Sequence, residues 1–171
     1  MQTILRFAFT FLIAILGTAP WARAADPGQE EFSSLNDIVA VLPHEILVGL
    51  TDNVGKEKAA ASGTEVFHQN VAGKMATLKM KINTVKKEGK PYFPKDRFVI
   101  QAVEESSRAG AVTFKNFPMI YLNESEDAKA AALHKGNEIT VTGKITYVDI
   151  RVIRASASCH INLHLSDAVI K

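Results

Sequence analysis

The sequence predicts a mainly β domain in which five strands close into a small barrel, with one helix between the third and fourth strands and a helical arm in front. From Gly73 onward, apolar residues alternate with polar ones, which is the period of a β-strand. A polar stretch that opens with Asn123 and ends at Gly136 carries the start and stop signals of a helix. Before Gly73 this strand period is missing, so the first part of the chain is predicted to form an arm that leads into the barrel.

Residues 1–24 have the pattern of a cleaved export signal. Arg6 gives a positive start, residues 7–16 are an apolar run, and Ala22-Arg23-Ala24 matches an A-x-A cleavage site. An apolar run of this length, at about 1.5 Å per residue, is too short to cross a hydrocarbon core of about 30 Å. We therefore predict cleavage between Ala24 and Ala25, a periplasmic or secreted mature protein, and no stable membrane insertion after cleavage.

Composition limits both the partners and the chemistry of the chain. The precursor has a formal net charge of +2, and the loss of Arg6 and Arg23 with the leader brings this charge to zero. A neutral chain falls short of the basic footprint of a dedicated nucleic-acid binder. Cys159 is the only cysteine, so no disulfide can form within the chain. Because Cys159 is in phase with Ile161, it is predicted to be a small buried hydrophobe rather than a reactive thiol.

Residues 25–72 are predicted to form an N-terminal arm of helical and irregular structure. A short helix is expected over residues 34–42, capped by a serine at its start. Residues 45–50 are apolar and fit either a helix or a strand. Helix formers at residues 56–61 are bracketed by glycines, and residues 64–72 fit either a further helical turn or an extended connection into the barrel.

Residues 73–171 are predicted to be the barrel domain. Five segments alternate apolar and polar side chains and predict its strands: residues 76–85, 97–103, 111–122, 138–150 and 159–165. Charged residues 86–91 predict a turn, and polar residues 104–110 predict a loop.

Three residues mark irregular points in these strands. Pro118 has no backbone N–H to give to a ladder, so it predicts an edge, a bulge or a bend in the third strand. In the fourth strand the apolar phase moves after Tyr147, which predicts a bulge. Gly143 suits the sharp coil that a strand needs in a small barrel.

The helix between the third and fourth strands is predicted over residues 126–135. Asn123 or Ser125 can cap its start, acidic residues crowd its first turn, and Gly136 ends it. Three strands, a helix and two strands is the connectivity of an OB barrel. An α+β sandwich built from the same elements is the alternative fold.

The barrel half resembles secreted bacterial OB-fold proteins grouped as anticodon-binding-like, or tRNA_anti-like. The resemblance covers about residues 70–171, and its motifs are the start Gly73-Lys74, the strand end at 82–85, and the segments 133–145 and 165–170. It implies the fold and a binding role, and it implies no catalytic residues. Many such proteins have a cysteine after an aspartate near the chain end, where this chain has Asp167-Ala168, so no role for that cysteine is carried over.

One basic and aromatic face is predicted to bind the ligand. Its members are Lys79 and Lys81 of the first strand, Lys144 of the fourth, Arg151 and Arg154 after it, and the aromatic residues Tyr92, Phe93 and Phe117. OB barrels bind chain-like ligands across such a face with cations and stacking rings. The alternative interpretation is a solvated charged face that keeps an edge strand soluble.

The sequence contains no catalytic or metal-binding signature. A phosphate-binding glycine loop, a nucleophile elbow and a zinc-protease motif are all missing. His160 and His164 lie four apart in a strand, about 13 Å from each other, which is too far to share one metal ion. They are predicted to face solvent. We therefore expect no cofactor, no metal and no enzymatic activity.

The function predicted from the sequence is an exported, non-catalytic OB-fold binding module. Its ligand is left open among a glycan, a peptide and a protein partner. Binding of an oligonucleotide through the basic face is the alternative. A periplasmic enzyme is a third possibility that no residue pattern supports.

Overall fold

The computed structural model describes residues 31–89, 91, 95–153 and 158–171, so the predicted export signal and its cleavage site lie outside the described part. In the described part the chain is mainly β. Its elements in chain order are β1 (Glu31–Phe32), α1 (Leu35–Val39), α2 (His44–Thr51), α3 (Lys56–Asn70), β2 (Met75–Glu88), β3 (Arg97–Ala102), β4 (Glu105–Ala109), β5 (Val112–Leu122), a 3-10 turn (Glu124–Glu126), α4 (Asp127–Ala131), β6 (Glu138–Val152) and β7 (Ser158–Ile170).

The strands form one mixed sheet that closes partly into a ring. They follow the order β1-β2-β3-β5-β7-β6, β6 also pairs with β2, and β4 pairs with β5. Within β2, residues 75–81 pair with β6, whereas residues 82–88 lie alongside β3. The pairs β1–β2 and β5–β7 are parallel, and the other pairs are antiparallel. All five predicted strands are present, but β1 and β4 raise the number in this sheet to seven.

Alternate side chains of the strands build the core. Leu78, Met80 and Ile82 of β2 are buried, as are Ile139 of β6 and Leu163 of β7. Along β5, every second residue from Val112 to Leu122 is buried. The period-two pattern of the sequence is therefore confirmed, and removal of these apolar faces from water is the main force that closes the sheet.

Two segments that the sequence predicts as a turn and a loop belong to strands. Residues 86–88 extend β2 and pair with residues 97–99 of β3. Residues 105–109 form β4, which pairs with β5 through a hairpin whose turn holds Gly110 at a φ of 57°. The apolar period does not reveal β4, because its inward-facing Ser107 lies against another polar side chain, that of Asn116.

Pro118 lies where β5 exchanges one neighbour for another. Residues 112–116 pair with β4, and residues 119–121 pair with β3. Pro118 falls between these two ladders, so its missing N–H is not required on that side. On the other side it lies opposite Leu163 of the parallel strand β7. The irregularity predicted from the proline is thus a change of partner.

The N-terminal arm contains three helices. Ser34 caps α1, since its side chain accepts a hydrogen bond from the backbone N–H of Asp37 over 3.1 Å. Helix α1 ends at Val39, earlier than predicted, and the ambiguous residues 45–50 lie within α2.

Helix α3 corrects the boundary that the sequence places at Gly63, because it continues through this glycine to Asn70. A Cβ atom at Gly63 would lie 2.7 Å from Cδ1 of Ile150. The glycine therefore lets α3 approach β6 closely. Next to it, the hydroxyl of Thr64 accepts a hydrogen bond of 3.0 Å from the backbone N–H of Ile150.

The helix after β5 is shorter than predicted. Asn123, one of the two predicted caps, accepts a hydrogen bond from the Ser125 N–H over 3.0 Å and caps the 3-10 turn that precedes α4. Helix α4 then ends at Ala131 instead of residue 135. The side chain of Asn137 accepts from the backbone N–H of His134 over 2.8 Å, and Gly136 has a φ of 92°. This local polar turn takes the place of a last helical turn.

The pairing of β6 with β7 shifts register twice. One shift lies between Ile145 and Tyr147 and confirms the predicted bulge. The other lies at Gly143, where a Cβ atom would be 3.0 Å from Cβ of Ala168.

Among the described helices, none combines the length and apolar character needed to span a membrane.

Candidate ligand-binding surface

Eight side chains on the outer face of β5, β6 and β7 form one continuous surface, which we call the aromatic platform. Across the strands, Asn162 lies opposite both Asp149 and Phe117, and Tyr147 lies opposite His164. The residues that alternate with them along each strand, such as Leu163, are buried. The members of the platform are Phe117, Tyr121, Tyr147, Asp149, Arg151, His160, Asn162 and His164.

Aromatic and imidazole rings connect the three strands of the platform. The ring of His164 lies between Tyr147 and Tyr121, with centroid distances of 4.9 Å and 5.5 Å. His160 contacts Phe117 with a centroid distance of 5.1 Å. The ring planes are inclined by 41° to 67°, which is the tilted or edge-to-face geometry that aromatic pairs prefer. The rings therefore hold one another in place across the sheet.

Asp149 organises the polar part of the platform. Its Oδ1 atom accepts from Asn162 Nδ2 over 2.6 Å, and its Oδ2 atom accepts from the Tyr147 hydroxyl over 2.7 Å and from Arg151 Nε over 3.2 Å. Burial raises the pKa of Asp149, but these hydrogen bonds outweigh it and leave the pKa below its ordinary value. The ionised carboxylate thus fixes the orientation of three neighbours.

The two rings beside Asp149 are uncharged at neutral pH. Burial lowers the pKa of His164, against a smaller opposite effect of the Asp149 charge. The hydrogen bond to Asp149 raises the pKa of Tyr147. Neutral rings suit a surface that makes apolar contacts.

Acidic neighbours balance the cations at this surface. Arg151 is bound to Asp149, and Lys115, next along β5 from the platform, has its Nζ atom 3.1 Å from a carboxylate oxygen of Glu104. The charges of Arg151 and Lys115 are therefore each offset by a neighbouring carboxylate. Two thirds of the Arg151 side chain is exposed, so its guanidinium still faces solvent.

The structure brings two of the predicted site residues together. Phe117 and Arg151 both lie beside His160, the first by ring contact and the second as its cross-strand partner. Lys79 and Lys81 lie instead on the outer face of β2, and Lys79 Nζ is 3.0 Å from Glu138 Oε2. A ligand-binding role for any of these residues stays a prediction.

The other predicted site residues are placed as follows. Lys144 is exposed on β6 and lies opposite Ser166 of β7, close to the platform. Tyr92, Phe93 and Arg154 lie outside the described residues.

Most members of the platform are not predicted as site residues from the sequence. The alternation with Ile161 and Leu163 places His160 and His164 on the outer face, as predicted. They do not face solvent freely as predicted, because neighbouring aromatic rings leave both half-buried. The alternation does not reveal which residues of β5 and β6 lie beside them, because register between distant strands is not written in a local pattern. The members missed are Tyr121, Tyr147, Asp149 and Asn162, together with the two histidines as part of a site.

In the described part of the chain, neither a cluster of metal-ligating side chains nor Cys159 offers a second candidate site. No group of three or more His, Cys, Asp or Glu side chains there is arranged so that it could hold a metal ion. Cys159 is fully buried, as predicted, and burial raises the pKa of its thiol.

Comparisons with known proteins do not assign the chain to a family. No protein-family model matches the sequence, and no curated protein matches it. Among solved structures, a lipoprotein of Klebsiella pneumoniae provisionally named as nucleic acid-binding is 14% identical, with 85% of this chain and 93% of that chain covered and a TM-score of 0.39. Aspartyl tRNA synthetase from Entamoeba histolytica is also 14% identical, over 58% of this chain and 18% of that chain, with a TM-score of 0.31. Both similarities are too distant to bear on function.

Proposed function

We propose that this chain is an exported, non-catalytic binding module of the OB type whose ligand lies on the aromatic platform. The order of the strands supports the OB type. If β2, β3, β5, β6 and β7 are numbered one to five, the ring runs one-two-three-five-four and back to one, with α4 between three and four. This is the strand order of an OB barrel. Here β2 pairs with both β3 and β6, which closes the ring. An α+β sandwich would not require both pairings.

The observation that carries the binding role is the prior organisation of the platform. Tilted ring contacts fix the aromatic side chains, and Asp149 fixes Tyr147, Arg151 and Asn162. A ligand that binds such a surface has little side-chain entropy to remove from it. The same groups also combine apolar area with directional hydrogen bonding, which is the composition of specific ligand sites.

The state of Asp149 supports a non-catalytic role. A general acid or base works best with a pKa near the working pH, which for a carboxylate requires a raised pKa. The pKa of Asp149 is lowered, because its neighbours donate hydrogen bonds to the charged form. The carboxylate is thus suited to orient side chains rather than to transfer protons.

The proposal of export rests on the N-terminal sequence. The A-x-A pattern at Ala22-Arg23-Ala24 would direct cleavage before Ala25. Expression of the full chain in a bacterium, followed by intact mass measurement of the periplasmic fraction, tests this. We expect a mass that starts at Ala25. Recovery of the full-length chain in the cytoplasm would contradict it.

Tyrosine fluorescence is a direct probe of ligand binding at the platform. Trp21 belongs to the predicted leader, and two of the three tyrosines are Tyr121 and Tyr147. Emission of the mature chain therefore reports mainly the platform. Titration with panels of oligosaccharides, oligonucleotides and peptides is expected to give a saturable change with one class, and mass spectrometry is expected to recover that ligand unaltered.

Matched variants decide where the ligand binds. Phe117→Ala and Tyr147→Ala remove platform rings, whereas Lys79→Ala and Lys81→Ala remove cations from β2. We expect calorimetry to show weaker binding for the first two variants and unchanged binding for the second two. The opposite result would contradict the platform as the site and favour the basic face of β2.

A further inference from the structure

We infer that the aromatic platform binds an uncharged oligosaccharide. This inference rests on the proposed function and adds the class of ligand to it. Sugar rings have apolar C–H faces, which suit aromatic side chains, and neighbouring hydroxyl groups, which suit planar polar side chains. The platform places both kinds of side chain within one surface.

The charge of the surface separates a glycan from a nucleic acid. A protein that follows a phosphate backbone needs cations that are free to replace its counterions. On the platform, Arg151 is bound to Asp149, and Lys115 at its border is bound to Glu104. The ionised carboxylate of Asp149 would also repel a phosphate group brought to Arg151. A neutral ligand does not need free cations, and the carboxylate of Asp149 does not repel it.

The polar groups match hydroxyl chemistry. A hydroxyl group both donates and accepts hydrogen bonds, so it needs a donor and an acceptor side by side. Arg151 offers a guanidinium with five N–H donors; its Nε donates to Asp149, and the guanidinium also interacts with the Tyr147 hydroxyl. Asn162 adds an amide with both donor and acceptor character beside it.

The rings match the apolar faces of sugars. Tyr147, with 37% of its surface exposed, borders the polar groups on one side, and Phe117 lies next to them on the other side. With strands about 4.8 Å apart and residues about 3.3 Å apart along each strand, the platform measures about 10 Å by 13 Å.

Calorimetry with three probes tests the inference: chitotetraose, cellotetraose, and an oligothymidylate of about 12 nucleotides. Each is titrated into the mature chain at low and at moderate salt. We expect one or both tetrasaccharides to bind, with affinity that changes less than about twofold with salt, because no counterions are released. We expect the oligothymidylate not to bind at moderate salt.

Variants of one exposed residue separate the role of its ring from that of its hydroxyl. Tyr147→Ala is expected to weaken saccharide binding about tenfold, and Tyr147→Phe, which keeps the ring, less than about threefold. Lys79→Ala changes the competing basic face of β2 and is expected to leave the saccharide affinity unchanged. Far-UV circular dichroism of each variant checks that the fold is kept.

Each contrary outcome has a distinct meaning. If only the oligothymidylate binds, with steep salt dependence and with loss in Tyr147→Ala, the glycan inference is overturned and the proposed function stands. If its binding is lost in Lys79→Ala and kept in Tyr147→Ala, both are overturned. If none of the three probes binds, the glycan inference is overturned, while the wider ligand panel still decides the proposed function.

Discussion

The carboxylate of Glu126 accepts a hydrogen bond from the backbone N–H of Ile170 over 3.1 Å. Lys129 completes the contact, since its Nζ atom lies 3.0 Å from the same carboxylate oxygen and donates to the carbonyl oxygen of Ile170 over 2.9 Å. Both backbone groups at the end of β7 are thus satisfied by the 3-10 turn and helix that follow β5. This buried contact joins the segment that follows β5 to the end of β7, two parts of the chain that are distant in sequence.

Replacement of Glu126 by glutamine is expected to destabilise the fold. The amide keeps the shape of the side chain but loses the charge that the Ile170 N–H and Lys129 bind. Loss of charge-assisted hydrogen bonds at a buried site costs about 1–3 kcal/mol of unfolding free energy. Urea denaturation measures this change. Glu124→Gln is the control, because Glu124 is exposed and its contact with Lys95 spans 3.5 Å, and its effect is expected to stay within about 0.5 kcal/mol.

The same contact predicts an acid dependence of stability. The hydrogen bond from Lys129 is the largest of the effects that lower the pKa of Glu126. A carboxyl group whose folded-state pKa is lowered stabilises the fold above its unfolded pKa of about 4.3, and this stability is lost as the pH falls through the folded-state pKa. The difference in stability between the chain and Glu126→Gln should therefore shrink in acid. A difference that stays constant down to acid unfolding would contradict the role of the charge.

Gly143 is expected to be intolerant of a side chain. A Cβ atom there would lie 3.0 Å from Cβ and 3.2 Å from Cα of Ala168, and 3.2 Å from the backbone oxygen of Ser166. Because two of these atoms belong to the backbone of β7, that strand would have to move. Gly143→Ala is expected to cost about 1–3 kcal/mol in urea denaturation. Adding Ala168→Gly should recover part of the loss, and no recovery would show that the close contact is not the cause.

The sequence predicts the strands that have a strong apolar period and misses those that do not. Leu78, Met80 and Ile82 mark β2 unambiguously, because their burial removes a whole apolar face from water. In β4 the buried inward residue is Ser107, so no local apolar pattern exists. Helix α3 passes through Gly63 because the glycine gives room to Ile150, a contact that only the folded chain reveals.

The candidate site is predictable by residue type only in part. Phe117 and Arg151 are identified as an aromatic residue and a cation of the outer face. Their neighbours Asp149 and Asn162 depend on the register of β6 with β7, which two bulges shift. Each one-residue shift changes which side chains share a face, so local sequence alone does not fix this surface.

Asn116 and Ser107 form a buried polar pair whose removal as a pair should cost less than removal of one member. Asn116 Nδ2 donates to Ser107 Oγ over 2.7 Å, and its Oδ1 atom has no hydrogen-bond partner among the described residues. Ser107→Ala takes away the short contact and is expected to cost about 1–2 kcal/mol. The double variant Ser107→Ala, Asn116→Leu also removes the oxygen without a partner, and it should be more stable than Ser107→Ala alone in urea. The reverse order would contradict this account.

His164 should make stability depend on pH near neutrality. Burial between Tyr121 and Tyr147 lowers its folded-state pKa, and the charge of Asp149 opposes this only in part. The unfolded chain therefore takes up the proton first, at about pH 6.5. As the pH falls below that value, the unfolding free energy should decrease until the folded-state pKa is reached, because the unfolded state binds more protons.

His164→Gln removes the titrating group and should flatten this part of the stability profile. Urea denaturation at closely spaced pH values measures the slope in the chain and in the variant. Because ligand contact would bury His164 further, a ligand on the platform should also bind more weakly once the pH falls through the lowered folded-state pKa of His164, where the ring becomes charged. Equal slopes in the chain and in His164→Gln would show that the buried ring does not govern this dependence.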